Sequence, residues 1–137
     1  MLLAALARAR GTWAVPDKDV LIVDDEVDVC DVLGGWLADA GYAVDVAVTA
    51  AAARELLSQH QYGVVVVDWR LRDGDGVALA NLAAEAGSHA YVMSGCLAHM
   101  LPGSVDPRQA IMKPVRPSDL LAIVRRCIGN ASGATDR

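Results

Sequence analysis

The chain has 137 residues, of which 54% are hydrophobic and 21% charged, so it holds enough apolar material for the core of one domain and is not disordered throughout. Its 12 Lys and Arg against 17 Asp and Glu residues give a formal net charge of −5, which argues against direct nucleic-acid binding through phosphate contacts. The three cysteines have no metal-binding spacing, and no apolar run approaches the roughly 20 residues of a spanning helix, so we expect a cytoplasmic protein without membrane insertion.

The composition divides the chain into three segments. Residues 1–18 are mostly small and apolar and are interpreted as an N-terminal extension or linker, residues 19–129 carry a regular pattern, and residues 130–137 are interpreted as a disordered tail. The run Val20–Val23 is wholly apolar, as is typical of a parallel strand buried on both faces. The apolar residues after it recur at helical spacing until Gly41, which is expected to end that helix.

The strand and helix pattern then repeats. Residues 42–47 alternate like a strand, and Thr49 is placed to cap a helix that ends near His60. The run Val64–Val67 is the most strongly β-branched in the chain and predicts a third strand, which ends on Asp68.

Two further strands and two further helices complete the pattern. In chain order, the pattern predicts a helix over 77–86, a strand over 90–93, a strand over 110–112 and a helix that Ser118 or Asp119 caps and that runs to about Ile128. Five strands that alternate with helices predict an α/β fold, namely a doubly wound parallel sheet with right-handed crossovers and helices on both faces.

Polar residues follow the predicted strands and form a candidate site, because ligands of open α/β sheets bind outside the carboxyl ends of the strands. These residues are Asp24, Asp25, Asp68, Ser94 and Lys113. Three neighbouring carboxylates repel one another unless a cation is present, and an oxygen-only cluster suits Mg²⁺ together with phosphate oxygens. A Lys and a hydroxyl are suited to holding phosphoryl oxygens. The sequence therefore predicts a phosphoryl group that is carried on a carboxylate with the help of Mg²⁺.

The residues from 19 to about 128 resemble the response-regulator receiver domains of two-component signalling. The matching motifs are the acidic pair Asp24-Asp25, Asp68 after the valine run, the turn Asp75-Gly76, Ser94-Gly95 and Lys113-Pro114. The resemblance implies a flavodoxin-like, five-stranded sheet of strand order 2-1-3-4-5. It also implies a phosphorelay function, in which the donor is a phosphohistidine on a histidine kinase or a histidine phosphotransfer protein.

The resemblance also assigns roles to single residues. It implies that Asp68 is the phosphoacceptor, that Lys113 pairs with the phosphoryl group and that the hydroxyl of Ser94 moves toward it. The implied Mg²⁺ ligands are Asp25 and Asp68 directly, Asp24 through water and the backbone carbonyl of Arg70. The side chain of Arg70 is expected at the rim of the site, close to Glu26. The implied protein is a regulatory phosphoacceptor that promotes its own phosphorylation and dephosphorylation, and not an enzyme with a separate substrate.

The sequence departs from the family pattern at four places, and at one of them Ser94 stands where Thr is common but keeps the hydroxyl. Arg72 stands where the family usually has Pro, and Ala110 stands where it usually has an aromatic switch residue. The segment 95–109 is a few residues shorter than usual and contains Pro and Gly, so we expect a short or distorted fourth helix. The phosphorylation chemistry is expected to survive these departures. The usual output step is not, because Ala110 has no side-chain rotamer to switch.

Two alternatives stay open at this stage. A receiver-like fold could serve purely as a docking module that is never phosphorylated. A phosphatase of the haloacid-dehalogenase type also uses an Asp nucleophile, and the residues from Asp73 to Val77 approach its first motif. However, Asp73 does not follow an apolar strand, and the acidic pair expected after the Lys is missing. The sequence fits a free-standing regulator and the receiver part of a hybrid histidine kinase equally well.

Overall fold

The computed structural model describes residues 16–96 and 106–131. The strands are β1 (Lys18–Val23), β2 (Val44–Ala47), β3 (Tyr62–Asp68), β4 (Arg70–Leu71), β5 (Gly74–Asp75), β6 (His89–Ser94) and β7 (Ala110–Met112). The helices are α1 (Val27–Asp39), α2 (Ala50–Gln59), α3 (Gly76–Glu85) and α4 (Pro117–Ile128), and a 3-10 turn at Pro107–Gln109 precedes β7. Among these described helices, none has the length and apolar character that crossing a membrane requires.

The main sheet has five parallel strands in the order β2-β1-β3-β6-β7. This order confirms the predicted doubly wound, flavodoxin-like topology, in which the chain reverses its direction of winding between β1 and β3. The last residue of β1, Val23, pairs with Val67 of β3. The residues that follow these two valines therefore meet at one edge of the sheet. The strands β4 and β5, which the sequence pattern does not predict, form a separate antiparallel hairpin.

The hydrophobic core lies in two layers on either side of the sheet, as the valines of β3 show. Val65 and Val67 pack in the layer that α2 and α3 cover, whereas Val64 and Val66 pack in the layer under α1 and α4. All four side chains are fully buried. Each contributes about 1.5 kcal/mol or more through the surface it removes from water. The predicted third strand is confirmed, and it is buried on both faces.

The ends of α1 and α2 agree with the sequence signals. α1 gives way to Gly41, which has a φ angle of 97°, a left-handed conformation that glycine adopts without the strain of a side chain. At the start of α2, the side-chain oxygen of Thr49 accepts a hydrogen bond of 3.0 Å from the amide of Ala52. The predicted helix end and the predicted cap are both confirmed.

The start of α4 differs from the prediction that Ser118 or Asp119 caps it. The cap position is occupied by Arg116, whose side chain makes no capping bond, and Pro117 is the first helical residue. Proline suits this position because its φ angle is already helical and its missing N–H would have no partner there. The carboxylate of Asp119 instead lies 3.2 Å from Nε of Arg116.

The described part of the chain extends beyond the predicted domain at both ends. β1 begins at Lys18, and Ala131, which the sequence pattern assigns to the tail, is buried with the α1 and α4 layer of the core. Most of the predicted extension 1–18, the rest of the tail and residues 97–105, where a short fourth helix is expected, lie outside the described residues.

Candidate functional site

Three carboxylates meet at the carboxyl edge of the sheet. Asp24 and Asp25 directly follow β1, and Asp68 is the last residue of β3. One oxygen atom of each lies within 4.8 Å of the others, so the three groups could hold a metal ion. Asp24 is fully buried, whereas Asp25 and Asp68 are partly exposed. The adjacent register of β1 and β3 produces this arrangement, as the sequence pattern predicts.

Lys113 brings a positive charge into the cluster. Its Nζ atom lies 2.9 Å from Oδ2 of Asp24 and 3.3 Å from Oδ1 of Asp68. Its backbone amide donates a hydrogen bond of 2.9 Å to the carbonyl oxygen of Ser94, which fixes the residue to the end of β6. The peptide bond between Lys113 and Pro114 is cis. The side chains of four predicted site residues therefore form one group, namely Asp24, Asp25, Asp68 and Lys113.

Negative charge exceeds positive charge in this group. Burial raises the pKa of Asp68 above its ordinary value, and the negative charge of Asp24 raises it further. The positive charge of Lys113 acts in the opposite direction but is weaker. Burial would lower the pKa of Lys113, but its hydrogen bond to Asp24 and the charges of both aspartates outweigh this effect and raise it. One ammonium thus faces three carboxylates, an arrangement to which a further cation would add balancing charge.

Asp24 is held from two sides. Its Oδ1 atom accepts a hydrogen bond of 2.9 Å from the amide of Glu26, while Oδ2 faces Lys113. Its carbonyl oxygen accepts a weak hydrogen bond of 3.3 Å from the thiol of Cys30. With both carboxylate oxygens engaged inside the protein, Asp24 is suited to anchoring Lys113.

The Asp75-Gly76 motif shapes the chain next to Asp68. A Cβ atom on Gly76 would overlap the carbonyl oxygen of Asp68 and would lie 2.9 Å from that of Trp69, so only glycine fits. The amide of Gly76 donates a hydrogen bond of 3.1 Å to the carbonyl oxygen of Trp69. Asp75 caps α3 by accepting a 2.8 Å bond from the amide of Val77. The motif therefore allows α3 to begin directly against the end of β3.

Ser94 lies at the same edge of the sheet, but its hydroxyl is bonded within its own turn. The Oγ atom donates to the carbonyl oxygen of Cys96 at 2.9 Å and accepts from the amide of Cys96 at 3.1 Å. For the hydroxyl to donate to a phosphoryl oxygen, it would have to release the carbonyl of Cys96. Ala110, at the position of the usual switch residue, begins β7 and pairs with Val92 of β6.

The arginines of the β4–β5 hairpin differ from the expectation. The guanidinium of Arg70, expected near Glu26, instead lies over the ring of Trp69, 5.5 Å from its centre. The arginine that reaches the acidic cluster is Arg72, whose Nε atom lies 3.7 Å from Oδ2 of Asp25. The only signal for Arg72 in the sequence is its departure from the proline that is usual in the family at this position.

The comparisons with known proteins agree on one family. Residues 20–125 match the family model described as response regulator receiver domain. No protein with a curated description matches the chain. Solved structures that are similar include a CheY-like response regulator receiver domain protein from Methanospirillum hungatei JF-1, with 28% identity, a TM-score of 0.69, and coverage of 80% of this chain and 91% of that chain.

Two further solved structures have the same fold. A response regulator receiver protein from Sinorhizobium medicae WSM419 is 26% identical, with a TM-score of 0.72 and coverage of 80% of this chain and 93% of that chain. The receiver domain of sensor histidine kinase PA1611 from Pseudomonas aeruginosa PAO1 is 20% identical, with a TM-score of 0.70 and coverage of 82% and 98%. The latter structure has a magnesium ion coordinated in its active-site cleft.

Proposed function

The chain belongs to the response regulator receiver domain family, and from this premise we propose that it accepts a phosphoryl group on Asp68 from a phosphohistidine. The donor would be a histidine kinase or a histidine phosphotransfer protein of a two-component system, and the chain would relay the signal by a change of conformation. We further propose that residues 19–129 form the receiver domain, with Lys18 in β1 and Ala131 packed against its core, that the rest of residues 1–18 and 130–137 are an extension and a tail, and that the protein acts in the cytoplasm.

One observation carries most weight in the choice of Asp68 as the phosphoacceptor. Of the three clustered carboxylates, Asp68 combines partial exposure to solvent with a contact of 3.3 Å to the ammonium of Lys113. Asp24 shares Lys113 but is fully buried, and Asp25 is paired with Arg72 at the rim. An incoming phosphoryl group can therefore reach Asp68 and meet a positive charge there.

The proposed transfer is a displacement at phosphorus. A carboxylate oxygen of ionised Asp68 attacks the phosphorus atom of the phosphohistidine, and the new O–P bond forms as the P–N bond breaks. The electron pair of the P–N bond returns to the imidazole ring, which takes up a proton from the solvent. Lys113 donates hydrogen bonds to the phosphoryl oxygens and stabilises their negative charge. The product is an acyl phosphate on Asp68.

The donor set fits Mg²⁺, because three carboxylates lie close together and the two cations that contact them, Lys113 and Arg72, leave negative charge in excess. Asp25 and Asp68 would bind the ion directly, Asp24 would bind it through water, and the backbone carbonyl of Arg70 would be a further ligand. When bound, the ion supplies positive charge between the carboxylates and the phosphoryl oxygens and so lowers the cost of bringing them together.

The test is intact-mass spectrometry of the chain after incubation with acetyl phosphate and Mg²⁺. We expect the mass of one added phosphoryl group in the wild type and no addition in Asp68→Asn. The matched control Asp39→Asn, an exposed residue at the end of α1, should be phosphorylated like the wild type. A wild type that gains no mass would instead favour a docking module that works without phosphorylation.

The phosphatase alternative finds no support at Asp73. Both carboxylate oxygens of Asp73 accept hydrogen bonds from amides at the start of α2, at 2.7 Å from Ala50 and 3.1 Å from Ala51. A nucleophile needs a free oxygen aimed at the substrate, whereas this carboxylate serves as a helix cap.

A further inference from the structure

The pairing of Arg72 with Asp25 suggests a role for an arginine that stands where proline is usual in the family. The Nε atom of Arg72 lies 3.7 Å from Oδ2 of Asp25, and the Arg72 side chain is 86% exposed while that of Asp25 is 20% exposed. Asp25 belongs to the three carboxylates whose oxygens could hold a metal ion. A solvent-exposed cation of the protein itself thus contacts a candidate ligand of the metal.

The backbone next to Arg72 is held in place by α2. The next residue, Asp73, accepts hydrogen bonds from the amides of Ala50 and Ala51 at 2.7 and 3.1 Å. The residue after it, Gly74, lies so close to α2 that an added Cβ atom would be 2.8 Å from Cβ of Ala50. The tip of the β4–β5 hairpin is therefore docked on the start of α2, and this docking keeps Arg72 beside the acidic cluster.

We infer that Arg72 is a built-in competitor of Mg²⁺ at Asp25. This inference rests on the magnesium site that the proposed function includes. In the metal-free protein, the guanidinium balances part of the negative charge of the cluster. A divalent ion that binds Asp25 directly needs the same carboxylate oxygens and is repelled by the guanidinium, so Arg72 has to swing away into solvent, where its exposed side chain has room.

Competition of this kind weakens Mg²⁺ binding without changing any of the proposed ligands. The free energy that the ion has to replace is that of an exposed ion pair, which corresponds to roughly a two- to fivefold change in the dissociation constant. Arg72 would therefore raise the Mg²⁺ concentration at which the site fills by the same factor, and with it the concentration at which phosphorylation becomes efficient.

The experiment is calorimetric titration of Mg²⁺ into the whole chain as wild type, Arg72→Gln and Arg108→Gln. Arg108 is the matched control, because its side chain is 89% exposed and pairs with Asp106 at 3.0 Å, outside the acidic cluster. Both variants lower the net charge by the same amount. We expect Arg72→Gln to bind Mg²⁺ roughly two to five times more tightly than Arg108→Gln, which should bind like the wild type.

A second variant acts on Arg72 through its backbone. Asp73→Ala removes the two amide contacts of the hairpin tip but keeps the guanidinium, so we expect a smaller gain in Mg²⁺ affinity. The gain should not add to that of Arg72→Gln in the double variant, because both changes act through the same ion pair. The rise in unfolding temperature on addition of Mg²⁺ should also be larger for Arg72→Gln than for the wild type.

The outcomes separate this inference from the proposed function. If the wild type binds Mg²⁺ and Arg72→Gln binds it no more tightly than Arg108→Gln, the inference is overturned and the proposed function stands. If the wild type does not bind Mg²⁺ at all, both are overturned. If Arg72→Gln binds Mg²⁺ more tightly than the wild type and Arg108→Gln does not, the result supports both the inference and the magnesium site of the proposed function.

Discussion

The ammonium of Lys113 lies 2.9 Å from Oδ2 of Asp24, a carboxylate that has no exposure to solvent. The two residues are 89 positions apart in the chain and come from the ends of β7 and β1. A buried carboxylate without a partner is costly, so this contact contributes to the fold as well as to the candidate site. Lys113 therefore serves stability and phosphoryl binding with the same nitrogen atom.

The first prediction follows from this pairing. Lys113→Gln should lower the free energy of unfolding by about 2–3 kcal/mol, because it leaves the charge of Asp24 buried without its counter-ion. The control is Lys18→Gln, which breaks a longer and more exposed pair with Asp45, 3.8 Å apart, and should cost less than about 1 kcal/mol. Urea denaturation of both variants measures the difference, and equal losses would contradict the role of Asp24.

The second prediction concerns Asp68 in the absence of metal. The pKa of Asp68 is raised in the folded protein, so folding favours the protonated carboxyl group. The stability that this provides is fully present below the ordinary aspartate pKa and is lost as the pH rises through the raised pKa. Ionised Asp68 therefore costs stability near neutral pH. In EDTA, Asp68→Asn should melt a few degrees higher than the wild type near pH 7, and the two should converge as the pH falls to about 4. Thermal melts followed by circular dichroism test this, and a variant that melts lower at neutral pH would refute it.

The third prediction separates two glycines. Gly76→Ala should cost more than about 3 kcal/mol, because the new Cβ atom would overlap the backbone carbonyl of Asp68, which cannot move without displacing the site. Gly35→Ala, within α1, meets no atom within 4 Å and should instead stabilise the protein by about 0.5–1 kcal/mol. Chemical denaturation gives both values. The prediction fails if the two substitutions have the same sign.

The fourth prediction concerns the thiols. Burial, together with the smaller effect of the negative charge of Asp24, raises the pKa of the Cys30 thiol to about 11. The side chain of Cys30 is also nearly inaccessible to solvent, whereas that of Cys96 is exposed. Since the thiolate is the reactive form, iodoacetamide near pH 8 should alkylate Cys96 at least about ten times faster than Cys30. Peptide mass mapping at successive times measures both rates, with urea-unfolded protein as the reference in which the difference disappears.

The sheet and four of the site residues could be predicted from the sequence because their signals are local. The runs Val20–Val23 and Val64–Val67 are apolar at every position, and only a strand covered on both faces buries such a run completely. Each run ends on aspartate, and parallel strands place their carboxyl ends at one edge. The convergence of Asp24 and Asp68 on Lys113 then follows from topology alone.

The contacts of the β4–β5 hairpin could not be predicted in the same way. Whether Arg70 or Arg72 reaches the acidic cluster depends on how the hairpin turns, and that turn is fixed by the bonds of Asp73 to α2, which lies 23 residues earlier in the chain. No periodicity reports a contact of this kind. The start of α4 differs from the prediction for a local reason instead. Ser118 and Asp119 are good capping residues, but Pro117 takes the first helical position and places both of them inside the helix.

The bond between Tyr42 and Gly129 bears on where the chain can be cut. The hydroxyl of Tyr42 donates to the carbonyl oxygen of Gly129 at 2.8 Å, and two residues later Ala131 is buried against the core. A truncation that stops at Ile128, the last helical residue, would leave the hydroxyl of Tyr42 without this acceptor and would open the core where Ala131 packs. A minimal folding unit therefore has to be cut after Ala131, beyond the end of the last helix.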